Sequence, residues 1–503
     1  MKKEICVIGA GASGLTSIKH CLEEDLKVIC YERTENLGGL WRYRDEVIEG
    51  VPCIQKSTVL NTSKELSSFS DFPPAKHSPN FMHNVSMLRY LESYAVHFEL
   101  KKYIRFGHEV ISVTYNDDYE FTGKWKVTSV DKLNQKTDER VFDAVLVCSG
   151  HHVKPLIPTF YGQEKFKGKI IHSHSYRTAH SFEDKNVVVV GIGASGADIA
   201  VEASRIAKQV YVSSRSGAWV MSRVSRNGIP ADASLTTRFI NLILSKIPPK
   251  ISNYLFEKFL NSYFDHRLYG LNPKHEPLSA LFTINDCLAN CIICGAIKML
   301  RNITEFTENG VIFEGMDKEV KCDVVVLATG YEIQFPFLGS SVISIVDNKL
   351  KMYKNVFLPH LKHPKTLAFI GLVQPTSGVF PICEMQSRWF ASLMNNLIKL
   401  PSREEMMLSI KDDTSFRELV FYNSPRNTII VFYIQYLDEI ASFIGVKPNL
   451  WKYCFTDTKL WYALVFGPSL PYQYRLNGPH QIEIARDLIF SYNQRFRAPL
   501  NNQ

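Results

Sequence analysis

Residues 185–200 read Lys-Asn-Val-Val-Val-Val-Gly-Ile-Gly-Ala-Ser-Gly-Ala-Asp-Ile-Ala, and the fold turns on them. Four β-branched residues in a row, Val187 to Val190, suit a strand buried on both faces, because a strand with one wet face would alternate. Gly191, Gly193 and Gly196 follow in the spacing G-x-G-x-x-G, with Ser195, Ala197 and Asp198 opening a helical pattern. Glycines there permit a tight turn and let backbone approach a pyrophosphate, while the helix N-terminus offers N–H groups and partial positive charge. The stretch reads as a dinucleotide site.

Towards the N-terminus the same pattern stands once more. Ile5-Cys-Val-Ile precedes Gly9, Ala10, Gly11, Ala12, Ser13 and Gly14, and a helical pattern follows. The two units then diverge at one position. After the first, the strand Lys27-Val-Ile-Cys-Tyr ends at Glu32, eighteen residues past Gly14, where a carboxylate can accept both ribose hydroxyls of an adenosine. After the second, Gln209-Val-Tyr-Val leads to Arg215, nineteen residues past Gly196, where a guanidinium can grip a 2′-phosphate. The contrast assigns FAD to the first unit and NADPH to the second, with Arg223 able to share or replace the role of Arg215. Gly38-Gly39-Leu40-Trp41 resembles the second glycine pair of two-nucleotide flavoproteins, a resemblance that implies FAD rather than NAD at the first site.

These patterns define an α/β fold with two Rossmann-like dinucleotide-binding domains, a helical insertion and a mainly helical C-terminal region. The expected boundaries are 1–154 with 331–442 for FAD, 155–221 with 298–330 for NADPH, 222–297 for the helical insertion or cap, and 443–503 for the C-terminal helices. A helix is expected from Val85 to Phe98, and a small antiparallel insertion at Gly107 to Tyr115 and Trp125 to Val130. Buried strands are expected at Asp143 to Cys148, Lys321 to Leu327 and Thr366 to Leu372. Gln374 then falls at the C-terminal end of a parallel strand, where such sheets place ligands.

The 503 residues are enough for two to four domains, and 45% hydrophobic against 21% charged residues describes a globular chain. Lys and Arg exceed Asp and Glu by eight, which fits phosphate-bearing cofactors; no basic run with interleaved aromatics points to nucleic acid. Eleven cysteines without a framework agree with a reducing compartment. Cys287, Cys291 and Cys294 have a C-x-x-x-C-x-x-C spacing, but their apolar neighbours read as a helix with small thiols in it, and no histidine spacing supports a metal. The chain enters a strand at once and holds no run of 18 apolar residues, so a cytosol-facing protein without a membrane span is expected.

Taken together, Gly9-x-Gly11-x-x-Gly14, Glu32, Gly38 to Trp41, Asn61, the stretch Phe166-x-Gly168-x-x-x-His172-x-x-x-Tyr176, Gly191-x-Gly193-x-x-Gly196 and Leu327-Ala-Thr-Gly-Tyr331 resemble the flavin-containing monooxygenases, the microsomal dimethylaniline-monooxygenase family. The resemblance covers nearly the whole chain. It implies that NADPH reduces FAD, that NADP⁺ stays bound, and that O₂ yields a C4a-hydroperoxyflavin which oxygenates soft nitrogen and sulfur atoms of small molecules such as amines and thioethers. It makes Asn61 catalytic and Leu60, Thr62, Gly39, Leu40, Trp41 and Gln374 part of the cofactor sites. Baeyer–Villiger monooxygenases are similar too, but their fingerprint ends in tryptophan where this chain has Tyr176; ketone oxygenation and NADPH oxidation to H₂O₂ stay open as alternatives. Vertebrate members carry an apolar tail that anchors them to the endoplasmic reticulum. This chain stops before such a tail, so either the sequence is truncated or any membrane association is peripheral, through its surface; oligomers are compatible with both.

Overall fold

The computed structural model describes residues 2–225 and 227–501. Two five-stranded parallel sheets carry the chain. In the first, the strands Leu367–Phe369, Ala144–Val147, Glu4–Ile8, Lys27–Glu32 and Ile104–Phe106 lie side by side in that order. In the second the order is Ile297–Leu300, Gln209–Ser213, Asn186–Val190, Val324–Leu327 and Lys169–His172. Each sheet is centred on the strand that enters a glycine turn, so each turn sits at the point where strand order reverses, the crevice in which open sheets hold ligands.

The apolar runs follow from burial on two faces. Ile5 and Val7 join a core shared with the helices Ala12–Glu23 and Phe380–Met394, while Cys6 and Ile8 join a second core on the opposite face. That opposite face is covered by a three-stranded antiparallel sheet, His108–Tyr115, Trp125–Asp131 and Lys136–Phe142. The second unit repeats the plan. Val187 and Val189 face helices, Val188 and Val190 face Ile303, Phe306, Val311 and Phe313 of another antiparallel sheet. The sequence reading missed the third strand of the first meander and the whole of the second.

Residues 222–297 hold the helices Ala231–Leu235, Arg238–Lys246, Pro249–Asn261 and Leu288–Ile293. Helices also dominate from Phe380 onward. The C-terminal part is fastened to the first unit by buried charges: Arg475 donates to Asp71 and Glu384 at 2.7 Å each and to the Ser70 hydroxyl at 2.6 Å, and Lys19 pairs with Asp71 and Glu23. With each carboxylate matched by a cation in a water-poor interior, the network locks register between segments four hundred residues apart. No helix among the described residues is long and apolar enough to cross a membrane.

Candidate functional site

Both glycine turns are built alike. Gly9 has φ +102°, and a Cβ there would lie 2.8 Å from the carbonyl oxygen of Cys148; a Cβ on Gly14 would lie 1.8 Å from the oxygen of Gly9. Gly191 has φ +104°, with Cβ positions 2.5 Å from the Ala328 oxygen and, for Gly196, 2.1 Å from the Gly191 oxygen. The outer glycines of each triplet therefore serve chain packing. The middle ones keep an approach open: Gly193 would meet nothing within 4 Å, and Gly11 only Gly39. The helices Ala12–Glu23 and Ala194–Ala203 begin at Gly11 and Gly193 without a side-chain cap, so first-turn N–H groups remain for phosphate oxygens. These cradles fit two dinucleotides.

Glu32 lies buried at the end of its strand. Its Oε2 accepts from the Ala10 N–H at 2.8 Å, and its Oε1 from the Thr34 N–H at 2.9 Å and hydroxyl at 2.8 Å. A carboxylate has about four lone-pair sites, so Oε2 has room for one ribose hydroxyl where the sequence reading allots two. Gly38 and Gly39, both at positive φ, fold over this turn, with Gly38 N–H donating to the Ala10 oxygen at 3.0 Å. Leu40 and Trp41 follow in a 3₁₀ turn, and the Trp41 ring meets Phe380 edge-on at 6.4 Å. Gly371, at φ +81°, had not been singled out. A Cβ there would lie 2.3 Å from the Ser13 hydroxyl, so the loop after Leu367–Phe369 closes against the first helix N-terminus. Gln374 stands exposed three residues on, its N–H bonded to the Ile429 oxygen at 2.8 Å.

At the second turn Arg215 is exposed, and no described carboxylate pairs with it. Arg426, unforeseen from the sequence, donates to the Thr329 oxygen at 3.0 Å, beside the strand end that crosses the turn. It is solvent-accessible yet crowded by protein, as in a cleft. That desolvation pushes its pKa down; Tyr422 opposes the fall and Arg215 adds to it. Two guanidiniums thus share one patch, an arrangement that an anion would relieve.

Asn61 sits on a loop pinned by an isolated bridge between Val59 and His83 and by the Leu60 N–H on the Met82 oxygen at 2.9 Å. Its Oδ1 accepts from Arg223 Nη2 at 2.7 Å. Because a guanidinium can only donate, that contact fixes the amide: oxygen towards Arg223, with no partner among the described residues for the two N–H donors of Nδ2. Arg223 also donates from Nε to the Leu60 oxygen at 3.2 Å and pairs through Nη1 with Asp286 at 2.6 Å. Arg223 is therefore engaged at Asn61, not at Arg215. Thr62 meets Ser67 through their hydroxyls, and the Ser63 N–H donates to Asp232 at 2.6 Å. Asp198 faces the insertion, accepting from Asn285 at 2.8 Å, and burial raises its pKa to about 6 against the opposing charge of Arg223. Ser195 offers its carbonyl to Gln55 at 3.3 Å, which ties the Asn61 side of the molecule to the second turn.

The stretch from Phe166 to Tyr176 is structural in its contacts. Phe166 packs on Phe306, a Cβ on Gly168 would lie 2.6 Å from the Asp323 oxygen, and Tyr176 is buried beside Phe182. Cys287 and Cys294 are exposed and Cys291 half-buried, all as free thiols around the short Leu288–Ile293 helix.

The family model described as flavin-binding monooxygenase-like matches residues 2–503. Flavin-containing monooxygenase 5 of Rattus norvegicus is 47% identical over 501 residues, covering 99% of this chain and 93% of the relative. Dimethylaniline monooxygenase (N-oxide-forming) 2 of Oryctolagus cuniculus is 45% identical over 505 residues, covering 100% and 94%. Among solved structures, the S-allyl-L-cysteine S-oxygenase of Allium sativum aligns with a TM-score of 0.68 at 24% identity, over 98% of this chain and 99% of that one. Cyclohexanone monooxygenase of Rhodococcus sp. Phi1, bound to NADP⁺, aligns at 0.64 and 17% identity over 88% and 98%; both share the fold.

Proposed function

The chain belongs to the flavin-binding monooxygenase-like family, and from that premise we propose that this NADPH-dependent flavin monooxygenase oxygenates soft nucleophilic nitrogen and sulfur atoms of small molecules, with Asn61 as its catalytic amide. When bound, FAD would supply the redox chemistry, accepting hydride from NADPH and activating O₂ for transfer of one oxygen atom, while the protein holds and orients the reactants. The first glycine turn, Glu32 and the Gly38–Gly39 cover would hold the FAD, and the second turn with Arg215 and Arg426 the NADPH. The observation that supports the reading is the amide of Asn61, oriented by Arg223 so that its Nδ2 end would donate to an oxygen atom held beside it. A lone pair on an amine or thioether attacks without being deprotonated, so no general base is required, and among the described residues Arg223 is the one side chain bonded to the Asn61 side chain. A free guanidinium would stabilise an anionic oxidant, the form that ketone insertion requires. Asp286, 2.6 Å from Arg223, offsets that charge and favours heteroatom transfer. The N-oxide-forming relative supports the same choice.

Supplied together with a tertiary amine, a thioether and a linear ketone, NADPH and O₂ should yield N-oxide and S-oxide as the main products by mass spectrometry. Ester as the main product, without either oxide, transfers the assignment to ketone oxygenation.

A second reading concerns where the enzyme works. The helices Arg238–Lys246, Pro249–Asn261, Leu450–Thr456 and Thr458–Phe466 expose apolar side chains, with Leu242 55%, Tyr254 58%, Trp451 79% and Phe455 81% exposed, and the Phe239 ring lies tilted against that of Phe466, 4.9 Å between centroids. Lys246, Lys250, Lys258, Lys452 and Lys459 on the same helices are exposed. Aromatic and aliphatic side chains among lysines suit the boundary of an anionic bilayer, which supports a reading of the protein as peripherally associated with a membrane. The protein should sediment with vesicles containing anionic lipid, and Trp451→Ser with Phe455→Ser should leave it in the supernatant; equal sedimentation of both forms would refute this surface.

A further inference from the structure

Two short strands, Val220–Met221 and Thr283–Ile284, pair in parallel and form the neck of the inserted segment. The neck touches both halves of the site. On one side, the Thr283 hydroxyl donates at 2.6 Å to the oxygen of Ile192, inside the second glycine turn, and Asn285 Nδ2 donates at 2.8 Å to Asp198 on the helix that this turn starts. Asn285 Oδ1 accepts from the N–H groups of Cys287 and Leu288 at 3.0 and 2.8 Å, so the amide cannot turn without losing three bonds. On the other side, Asp286 accepts from the Ser222 hydroxyl at 2.7 Å, from the Arg223 N–H at 2.8 Å and from Arg223 Nη1 at 2.6 Å. Arg223 then reaches Leu60 and Asn61. A chain of hydrogen bonds and consecutive residues thus runs from the second dinucleotide turn to the amide of Asn61.

We propose that Asn285 and Asp286 are positioning residues for oxygen transfer: through Arg223 they hold the Asn61 amide with its donor end free, and they tie that arrangement to the second dinucleotide turn. The proposal rests on the reading of Asn61 given above. An arginine side chain has many rotamers, and Asp286 is the carboxylate paired with this one. Without it the guanidinium can leave Oδ1, the amide can rotate, and a carbonyl oxygen can face the reacting oxygen where donors are needed. Burial works to raise the Asp286 pKa, but the bonds from Ser222 and Arg223 outweigh it and hold the group below the usual carboxylate range, so the pair stays ionised at neutral pH.

The test compares Asp286→Asn, Asp286→Glu and Asn285→Ala with Asn61→Ala for FAD content, anaerobic flavin reduction by NADPH, and product formed per NADPH consumed. Asp286→Asn and Asn285→Ala should keep their FAD and be reduced near the wild-type rate, while product per NADPH falls about three- to thirtyfold and H₂O₂ rises. Asp286→Glu should recover part of the loss, and Asp286→Asn added to Asn61→Ala should lower the ratio no further than Asn61→Ala alone. An unchanged ratio in both single variants beside a failed Asn61→Ala overturns the proposal and leaves the role of Asn61 standing. So does a fall in reduction rate as large as the fall in product, or an Asp286→Asn that loses FAD beside a fully coupled Asn285→Ala. Full oxygenation by Asn61→Ala removes the underlying reading instead.

Discussion

Asn61→Ala is expected to retain FAD, to be reduced by NADPH at the wild-type rate, and to form oxygenated product at least about 100-fold more slowly, with NADPH consumed as H₂O₂. The expectation follows from the geometry of one amide. Arg223 takes its oxygen at 2.7 Å, and among the described residues neither Nδ2 hydrogen has a partner, so both would be available to the site. A preorganised donor removed from a water-poor site costs about 2.7–4 kcal/mol, and alanine supplies no substitute. Flavin reduction should be spared, because among the described residues neither glycine turn bonds the Asn61 side chain directly: the second turn reaches it only through Asn285, Asp286 and Arg223, which alanine at position 61 leaves in place. Rapid-mixing absorbance separates the two half-reactions. Substrate oxygenation at the wild-type rate would take Asn61 out of the chemistry.

What could be read from the sequence was local. Each glycine triplet announces itself because its demands, a positive φ at Gly9 or Gly191 and no Cβ at Gly14 or Gly196, arise within a few residues of chain. The continuous apolar strands were legible for the same reason: Val187 to Val190 face two cores whichever segments supply them. The meander at Ile303–Phe306 and Gly310–Phe313 escaped notice because its strands are four residues long, too short for a clear alternation. The neck at Val220–Met221 and Thr283–Ile284 is shorter still, and its partners are separated by the whole insertion. Arg223 shows the limit most plainly. Its distance in sequence from Gly196 allowed a phosphate role, yet its neighbours in space, Asp286, Leu60 and Asn61, come from two segments that no spacing rule joins. The first strand unit predicted where Glu32 would stand, but not that Ala10 and Thr34 would already occupy most of its lone pairs.

Arg215→Ala should raise the KM for NADPH about 10- to 100-fold and leave that for NADH nearly unchanged, since only NADPH carries the 2′-phosphate that this side chain would hold. Arg215 is exposed and unpaired among the described residues, so its removal strands no buried partner and should not disturb the second turn. Arg426 supplies the second half of the argument. Its pKa is pushed down by desolvation and, past the opposing effect of Tyr422, by the charge of Arg215 itself. Two neighbouring cations would attract a doubly charged phosphate together, and its charge would offset their mutual repulsion. Arg426→Ala should therefore weaken NADPH in the same direction, by less, because its guanidinium is already engaged by the Thr329 oxygen. The double variant should approach equal kcat/KM for the two nucleotides. Steady-state kinetics with NADPH and NADH in all three variants decides it: parallel losses with both nucleotides would mean that the arginines support the fold of the turn, whereas a loss confined to NADPH assigns them to the phosphate.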